Sequence, residues 1–421
     1  MFLRSFKLFV AALVAAMVVA ACGSGESAPA PTGLTVVAGE SSAIVSWDMA
    51  PGVEYWVFFA PTITAPATTA TMQGWFGLPG GNVFLKVSSP YVVTGLFNGL
   101  SYSFSVNGRI DGGPGGPGAA PLAVTPRIAG SSWNAGTPIP GGTSLFGITY
   151  GATTATSTTA SVATFVAAGA GGAVYSSLDG ATWSAVNYAS SRNINGSAYF
   201  GTFRLVGDGG LVLLSPDAST WTAQTSGTTQ NLYAIASNYL NLNVAVGANG
   251  TIITSPDGVT WTSVSSSTTR DLYAVDYSVY NGGTWLAVGA GGTMVRSADG
   301  VTWQAVTTNT SADLHGIAHG LISLTSGATA FVAVGASGTV INSTDGISWT
   351  AQTLPGSGAL NAVTMGSQFV AVGAAGVIFT SSDALTWTPV PAATSQDLYA
   401  VTRGSLSYAA VGAAGSNLLS R

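Results

Sequence analysis

The chain has 421 residues, of which 47% are hydrophobic, 6% are charged and 56 are glycine. This length exceeds one ordinary domain, and the low charge excludes a solvated disordered chain. Eleven basic and 16 acidic residues give a net charge of -5, with no basic cluster, which argues against nucleic acid as a partner. Glycine, serine, threonine, valine and aromatic residues suit strands and tight turns, so we predict an all-β protein.

Residues 1–21 have the plan of an export signal. Arg4 and Lys7 precede an apolar run from Leu8 to Ala21, and this order of charge and then apolar residues is typical of a signal peptide rather than of a folded element. We therefore expect the segment to be absent from the mature protein. The remaining chain would then fold in an oxidising compartment without a disulfide.

The sequence Val-Ala-Ala-Cys that ends at Cys22 resembles the lipobox of bacterial lipoproteins. The resemblance implies that the thiol of Cys22, the sole cysteine, is acylated and that residues 22–30 form a lipidated tether to the membrane. Gly23 and Ser24 lack the aspartate that retains lipoproteins at the inner membrane of enteric bacteria, which implies the outer membrane or the cell surface of a bacterium. The alternative is a secretory signal that happens to precede a free thiol.

Residues 31–127 carry short runs of alternating apolar side chains, such as Ala43–Trp47 and Tyr102–Val106. Such alternation predicts half-buried strands, and regularly spaced short strands favour a β-sandwich. Pro31-x-x-Leu34-x-Val36, together with Trp47 and Tyr102, resembles a fibronectin type III domain, and we take Trp47 and Tyr102 as core residues. The stretch 61–81 is longer than in that family. We expect Trp75 and Phe76 within it to fold back onto the sandwich rather than to form a sticky tip.

The rest of the chain repeats an aspartate that is followed four residues later by a tryptophan. The six pairs are Asp179 and Trp183, Asp217 and Trp221, Asp257 and Trp261, Asp299 and Trp303, Asp345 and Trp349, and Asp383 and Trp387. Successive pairs lie 38 to 46 residues apart. A period near 40 with four strand-length runs per unit predicts the four-stranded blades of a β-propeller.

The chain continues past the last pair with three more strand-length runs but no fourth. Residues 132–134, which precede the first complete unit, can supply that missing strand. A blade shared between the two ends of the region leaves no open strand edge. We therefore predict a seven-bladed propeller over residues 131–421 that is closed by a split blade, with six or eight blades as alternatives.

The repeated units, such as Ser255-Pro-Asp257-Gly-Val-Thr-Trp261, resemble the Asp-box (BNR repeat) of sialidase-like propellers and of the related photosystem assembly factors. They are one residue shorter between aspartate and tryptophan, and the units of Asp217 and Asp383 have alanine instead of glycine after the aspartate. We expect each carboxylate to accept backbone N–H bonds across a turn while the tryptophan packs beside it. Because all six units share the motif, we interpret it as a folding element.

No catalytic set is evident. The sialidase resemblance implies a glutamate, a tyrosine and three arginines, yet all three glutamates, Glu26, Glu40 and Glu54, precede the predicted propeller. A general glycosidase needs two carboxylates that face each other across one bond. We predict no catalytic residue. The alternative is a divergent glycoside hydrolase or lyase built on Asp271 and its neighbours.

Polar residues should gather on the face of the propeller that carries the connections from the fourth strand to the next first strand. This candidate ligand rim consists of Arg192, Asn231, Arg270, Asp271, Asp313 and Asp397. Three of the aspartates stand where other units have asparagine, a position for which we predict an Asx turn. The rim suits a glycan or a protein. Insertions at 150–164 and 318–330 belong to the opposite face, so the choice of binding face stays open.

No metal or cofactor is predicted. His315 and His319 have a spacing that suits zinc on a helix, but on a strand they would be about 13 Å apart, too far to share one metal. The leading hypothesis is an exported, lipid-anchored, non-enzymatic surface protein whose propeller binds a glycan or a protein. The alternatives are the enzyme described above and a structural surface component that associates with copies of itself.

Overall fold

The computed structural model describes residues 26–64, 72–75, 77–153, 161–188, 190–238, 240–280, 282–323 and 326–421. The predicted signal segment, Cys22 and Phe76 lie outside these residues. The chain divides into two compact units, one ending at Ile128 and the other spanning Ala129–Ser420. Within the described ranges, no helix has the length and apolar character needed to cross a membrane.

The first unit consists of two antiparallel sheets and one helical turn. Its elements are β1 (Thr35–Gly39), β2 (Ser42–Ser46), β3 (Val53–Pro61), α1 (Met72–Trp75), β4 (Asn82–Val87), β5 (Tyr91–Thr94), β6 (Tyr102–Ile110) and β7 (Leu122–Val124). The strand orders are β1-β2-β5 and β4-β3-β6-β7. Apolar side chains of both sheets, Trp47 and Tyr102 among them, form one buried cluster. The Trp75 side chain is only 3% exposed and packs with Phe58 and Ala60, which confirms that it folds back onto the sheet.

The second unit contains seven four-stranded antiparallel sheets among the described residues. Its first strand, β8 (Asn134–Ala135), belongs to the last sheet. The first three complete sheets are β9 (Leu145–Ala152), β10 (Ala163–Gly169), β11 (Val174–Ser177), β12 (Ser184–Val186); β13 (Ile194–Phe200), β14 (Thr202–Gly207), β15 (Leu211–Ser215), β16 (Thr222–Gln224); and β17 (Leu232–Ser237), β18 (Asn243–Gly247), β19 (Ile252–Ser255), β20 (Thr262–Val264).

The remaining four sheets repeat the same order. They are β21 (Leu272–Ser278), β22 (Thr284–Gly289), β23 (Met294–Ser297), β24 (Gln304–Ala305); β25 (Leu314–Leu321), β26 (Thr329–Gly335), β27 (Thr339–Ser343), β28 (Thr350–Thr353); β29 (Leu360–Met365), β30 (Phe369–Gly373), β31 (Ile378–Ser381), β32 (Thr388–Val390); and β33 (Leu398–Arg403), β34 (Tyr408–Gly412), β35 (Asn417–Ser420) with β8. We number these seven sheets from one to seven, beginning with β9–β12.

The first strand of each sheet is the inner strand of a ring. Each inner strand contacts the next inner strand along the chain, and β33 contacts β9. The second strands, such as β18, β22 and β30, are buried along their whole length. A strand that is covered on both faces reads as a continuous apolar run rather than an alternating one, and Phe369-Val-Ala-Val-Gly373 is such a run.

The seventh sheet combines strands from both ends of the unit, because β8 pairs antiparallel with β35. The strand begins at Asn134, two residues later than predicted. The indole N–H of Trp133 donates to the Gly130 carbonyl at 2.9 Å. Trp303 makes the same bond to Gly300, also at 2.9 Å. The seventh sheet thus keeps the tryptophan of the repeated motif without its aspartate.

In each of the six aspartate–tryptophan units the carboxylate organises the turn between the third and fourth strands. In the unit of Asp345, the Oδ1 atom accepts bonds from the Ser343 hydroxyl at 2.9 Å and from the N–H groups of Ile347 and Ser348, each at 2.8 Å. The other five carboxylates accept the same three bonds. The turn therefore depends on local contacts alone.

A short 3-10 turn joins the second and third strands of every sheet. The seven turns are Ala170–Gly172, Asp208–Gly210, Ala248–Gly250, Ala290–Gly292, Ala336–Gly338, Ala374–Gly376 and Ala413–Gly415, and a further one spans Pro140–Gly142. The middle residue of each of the seven turns has a positive φ, and three of the seven middle residues are glycine. Ala375 holds a φ of 53° at this position, which strains an L-residue.

Replacing Ala375 with glycine should stabilise the protein by about 0.5–1 kcal/mol. Removing the strain of a left-handed alanine stabilises the folded state by roughly 1–2 kcal/mol. The greater conformational freedom of glycine in the unfolded chain offsets part of this gain. The exposed methyl group contributes little burial. Chemical denaturation of both proteins measures the difference. The matched control, Ala374→Gly, lies outside the left-handed region and should destabilise; a gain in both variants would contradict the strain argument.

Candidate functional site

The predicted rim residues lie beside the 3-10 turns on one face of the ring. Five side chains directly before inner strands accept a backbone N–H from the turn of the preceding sheet. The acceptors and donors are Asn193 and Gly171 at 3.0 Å, Asn231 and Gly209 at 2.9 Å, Asp271 and Asn249 at 2.8 Å, Asp313 and Gly291 at 2.7 Å, and Asp397 and Ala375 at 2.8 Å. We call these five contacts the clamps.

The clamps replace the Asx turns that the sequence predicted. Each clamp residue also accepts a bond on its main-chain carbonyl from the turn of its own sheet, as Asp271 does from Ala290 at 3.0 Å. One residue therefore connects two neighbouring sheets, and its side chain reaches between sheets instead of closing a local turn. Two sheets lack a clamp residue, because Ser144 and Ala359 occupy the position; among the described contacts neither side chain bonds a turn.

The two arginines of the rim are exposed. The Arg192 Nη1 atom donates to the Gly209 carbonyl at 3.4 Å. Arg270 lies against Gly291, so closely that a side chain at this glycine would collide with its guanidinium. Both guanidiniums therefore rest on the 3-10 turn of their own sheet, next to the clamp carboxylates and amides. The rim presents both signs of charge to solvent.

The second residue of each inner strand forms a further set that the sequence analysis missed. These inner-ring residues are Phe146, Asn195, Tyr233, Tyr273, His315, Asn361 and Tyr399, and all seven are partly exposed. Five of the seven carry an aromatic or imidazole ring. The signal was present in the sequence as the triplet Leu-Tyr-Ala at 232–234, 272–274 and 398–400.

The inner-ring side chains form two aromatic arcs. Tyr233 and Tyr273 have ring centroids 5.7 Å apart, and Tyr273 and His315 lie 5.9 Å apart. Phe146 and Tyr399 form the second arc, also at 5.7 Å. In each of these pairs the ring planes are tilted by 54–60°. Such tilted arrangements are favourable for aromatic pairs.

The two asparagines separate the arcs and connect inner strands. The Asn195 amide donates to the Leu232 carbonyl at 3.0 Å and to the Asp208 carboxylate at 2.9 Å. The Asn361 amide donates to the Leu398 carbonyl at 2.9 Å. Asn195 thus uses both of its amide hydrogens within the ring, and Asn361 uses one of its two. Recognition at the inner ring therefore falls mainly to the aromatic residues.

Burial and nearby carboxylates keep two of the tyrosines protonated. Burial raises the pKa of Tyr233, and the charges of Asp271 and Asp208 raise it further. Burial also raises the pKa of Tyr273, with added contributions from Asp313 and Asp271. Both phenols are thus neutral hydroxyls at physiological pH, able to donate and accept hydrogen bonds. The same interactions show that the clamp carboxylates and the aromatic arc share one electrostatic environment.

The two histidines both lie within β25 and have separate partners. His315 Nδ1 is 3.2 Å from the Leu360 carbonyl, so this nitrogen carries the proton. His319 Nδ1 is 2.6 Å from the Asp276 carboxylate on the neighbouring inner strand. Burial opposes the charge on the His319 ring, but Asp276 outweighs it and raises the pKa. Among the described residues, no group of three or more potential metal ligands gathers.

Comparison with known proteins shows the fold of the second unit but no family. No protein-family model matches the chain, and no curated protein matches it in sequence. A structure of YCF48 bound to D1 peptide is 15% identical, with 68% of this chain and 96% of that chain covered and a TM-score of 0.54.

Two other solved structures give a similar result. YCF48 from Cyanidioschyzon merolae is 17% identical over 69% of this chain and 98% of its own, with a TM-score of 0.52. The WD40 β-propeller domain of Doa1 is 8% identical over 69% of this chain and 97% of its own, also with a TM-score of 0.52. The protein therefore contains a β-propeller fold.

Proposed function

We propose that the protein is an exported, lipid-anchored, non-catalytic binding protein that holds a segment of a protein partner at the mouth of its propeller. The mouth comprises the rim and the inner-ring residues. The observation that carries the proposal is the pair of aromatic arcs next to exposed charges of both signs. Large, rigid aromatic side chains with polar neighbours supply most of the affinity in protein recognition.

We propose the same domain arrangement that the sequence predicted. The first unit is a fibronectin type III-like spacer that follows an acylated Cys22 at a bacterial outer membrane or surface. The second unit is a seven-bladed propeller in which β8 completes the seventh blade, and its six Asp-boxes serve as folding elements. The pairing of β8 with β35 and the contact of β33 with β9 support this closure.

A peptide fits the mouth better than a glycan does. The rings are tilted against each other, so they do not form one flat platform on which a sugar ring could stack. The rim offers carboxylates and guanidiniums that can pair with either charge of a peptide. A peptide is also what the similar YCF48 structure holds, and this parallel supports the choice of a protein partner.

The geometry favours binding over catalysis. One oxygen of each clamp carboxylate already accepts a turn N–H, so these groups perform a structural task. Tyr233 and Tyr273 have raised pKa values, whereas a tyrosine nucleophile requires activation by a lowered pKa or an adjacent base. The arrangement therefore suits hydrogen bonding and packing.

The purified protein should bind members of a random peptide array, and Tyr273→Ala should weaken that binding about tenfold or more, as expected for an aromatic hot spot. Asp271→Asn should weaken only peptides with basic residues, because the amide keeps the clamp acceptor, as Asn231 does in another sheet. Leu240→Ala is the matched control, since this exposed side chain lies outside the mouth.

A glycan array read beside the peptide array decides between ligand classes. Binding of glycans alone would overturn the proposal of a protein partner, and so would an absence of binding on both arrays. Peptide binding that Tyr273→Ala leaves unchanged while Leu240→Ala abolishes it would move the site away from the mouth. Hydrolysis of any bound glycan would overturn the non-catalytic assignment.

A further inference from the structure

A pocket of about 490 Å³ opens at the outer edge of the propeller, away from the inner strands. Strands β23 and β24 of the fourth sheet and the Asp-box turn between them form most of the lining, and Ile347 from the Asp-box turn of the fifth sheet completes it. Its polar and apolar lining includes Arg296, Asp299, Thr302, Gln304, Thr307 and Ile347. This volume suits a ligand of one or two sugar rings, because small-molecule sites span about 300–1,000 Å³.

The fourth sheet departs from the repeat at this pocket. Arg296 on β23 and Gln304 on β24 are paired across the two strands. The other five sheets with an Asp-box have shorter side chains at this register, namely Ser176 and Ser184, Leu214 and Thr222, Thr254 and Thr262, Asn342 and Thr350, and Thr380 and Thr388. Stacking of the sheets therefore does not require an arginine or a glutamine there.

The Arg296 guanidinium has donors to spare. Its Nη2 atom donates to the Thr284 hydroxyl at 3.2 Å, and its Nε atom is buried without a partner. The Nη1 atom has no partner within the described part of the chain and stays accessible. No carboxylate oxygen among the described residues lies within ion-pair distance of this guanidinium. An arginine with an accessible donor edge is suited to a planar carboxylate.

Asp299 makes no ion pair with this arginine, and its carboxylate bonds its own turn instead. Oδ1 accepts from Ser297, Val301 and Thr302, and Oδ2 accepts from the Thr302 hydroxyl at 3.1 Å. Gln304 contributes an amide that can both donate and accept. Ile347, which is 56% exposed, supplies an apolar wall. The pocket thus offers a guanidinium that has no ion-pair partner among the described residues, together with the Asp299 carboxylate, hydrogen-bonding groups and an apolar patch.

We propose that this pocket is a second binding site, for a small hydroxylated carboxylate of the uronic acid class. The carboxylate of the ligand pairs with Arg296, its hydroxyls bond Gln304 and the threonines, and its ring C–H groups contact Ile347. The site is separate from the mouth, so it does not depend on the function proposed there.

Titration of the purified protein with glucuronate and with glucose tests the site, followed by NMR or calorimetry. Glucuronate should bind, and the affinity for glucose should be lower by about tenfold or more, because glucose has no carboxylate to pair with Arg296. Arg296→Thr should weaken glucuronate binding about tenfold or more. Gln304→Thr should weaken glucuronate binding a few fold. Threonine is compatible with the fold at both positions, since two other sheets have a Thr–Thr pair at this register.

Thermal unfolding of each variant confirms that it is folded, and Arg403→Thr serves as a control that removes an exposed arginine outside both the pocket and the mouth. Unchanged glucuronate affinity in folded Arg296→Thr would overturn the proposal. Equal affinity for glucose and glucuronate would overturn the role of the carboxylate, and the absence of glucuronate binding at 10 mM or so would overturn the site, since even a few polar contacts give millimolar affinity.

Discussion

Replacing Trp303 with alanine should lower the free energy of unfolding by about 3–5 kcal/mol, the range for truncating a large buried aromatic side chain. Trp303 is 3% exposed and packs in the cluster between the third and fourth sheets with Trp285 and Leu272. Its indole N–H donates to the Gly300 carbonyl at 2.9 Å. Truncation therefore leaves a cavity and an unpaired carbonyl. Urea unfolding followed by fluorescence measures the loss.

Trp221→Ala is the matched control at the same repeat position. This tryptophan is only partly buried, and its indole nitrogen has no hydrogen-bond partner among the residues that the structure describes. Its truncation should cost clearly less than that of Trp303, because less surface and no hydrogen bond are lost. Equal losses would show that the tryptophans act through something that all units share, such as the turn itself, rather than through burial.

The protein should lose stability steeply between about pH 4 and pH 2. Backbone N–H bonds, opposed by slight burial, lower the pKa of Asp299 and Asp345 to about 2. Asp257 behaves in the same way, and Asp217 also reaches about 2 although burial opposes the shift. An unfolded aspartate titrates near 3.9. A lowered folded pKa contributes stability above the unfolded value, and this contribution disappears as the pH falls through the folded value.

Urea midpoints measured at pH 5, 3.5 and 2.5 test this expectation. Most of the decline should occur below pH 4, where the unfolded aspartates take up protons before the folded ones. Asp345→Asn should be less stable at pH 5 but should show a shallower decline, because one titrating Asp-box is removed. A midpoint that stays constant from pH 5 to pH 2.5 would show that the carboxylate bonds contribute nothing to folding.

The local parts of this fold could be predicted from sequence, since their partners are close in the chain. Asp345 bonds residues two and three positions away, so the motif itself specifies the turn. Burial also followed from the sequence where aromatic residues stand in strands, as with Tyr102. The second strand of each sheet, such as β18, was harder to predict, because burial on both faces removes the alternation of apolar and polar residues that marks a strand.

The clamps could not be predicted from local rules. Asp271 bonds a turn 22 residues earlier, in the neighbouring sheet, and a position before a strand suggests an Asx turn when only its own surroundings are considered. The same interval of 22 separates donor and acceptor in all five clamps. The pairing of Arg296 with Gln304 likewise required the strand register, which the sequence does not state.

The clamps are distributed unevenly around the ring of sheets. Clamps connect the first five sheets in series and also join the sixth to the seventh. The interface between sheets five and six and the interface between sheets seven and one have no clamp, because Ala359 and Ser144 occupy the clamp position there. These two interfaces therefore depend on the apolar clusters that span them, without the additional hydrogen bond that the other five interfaces carry.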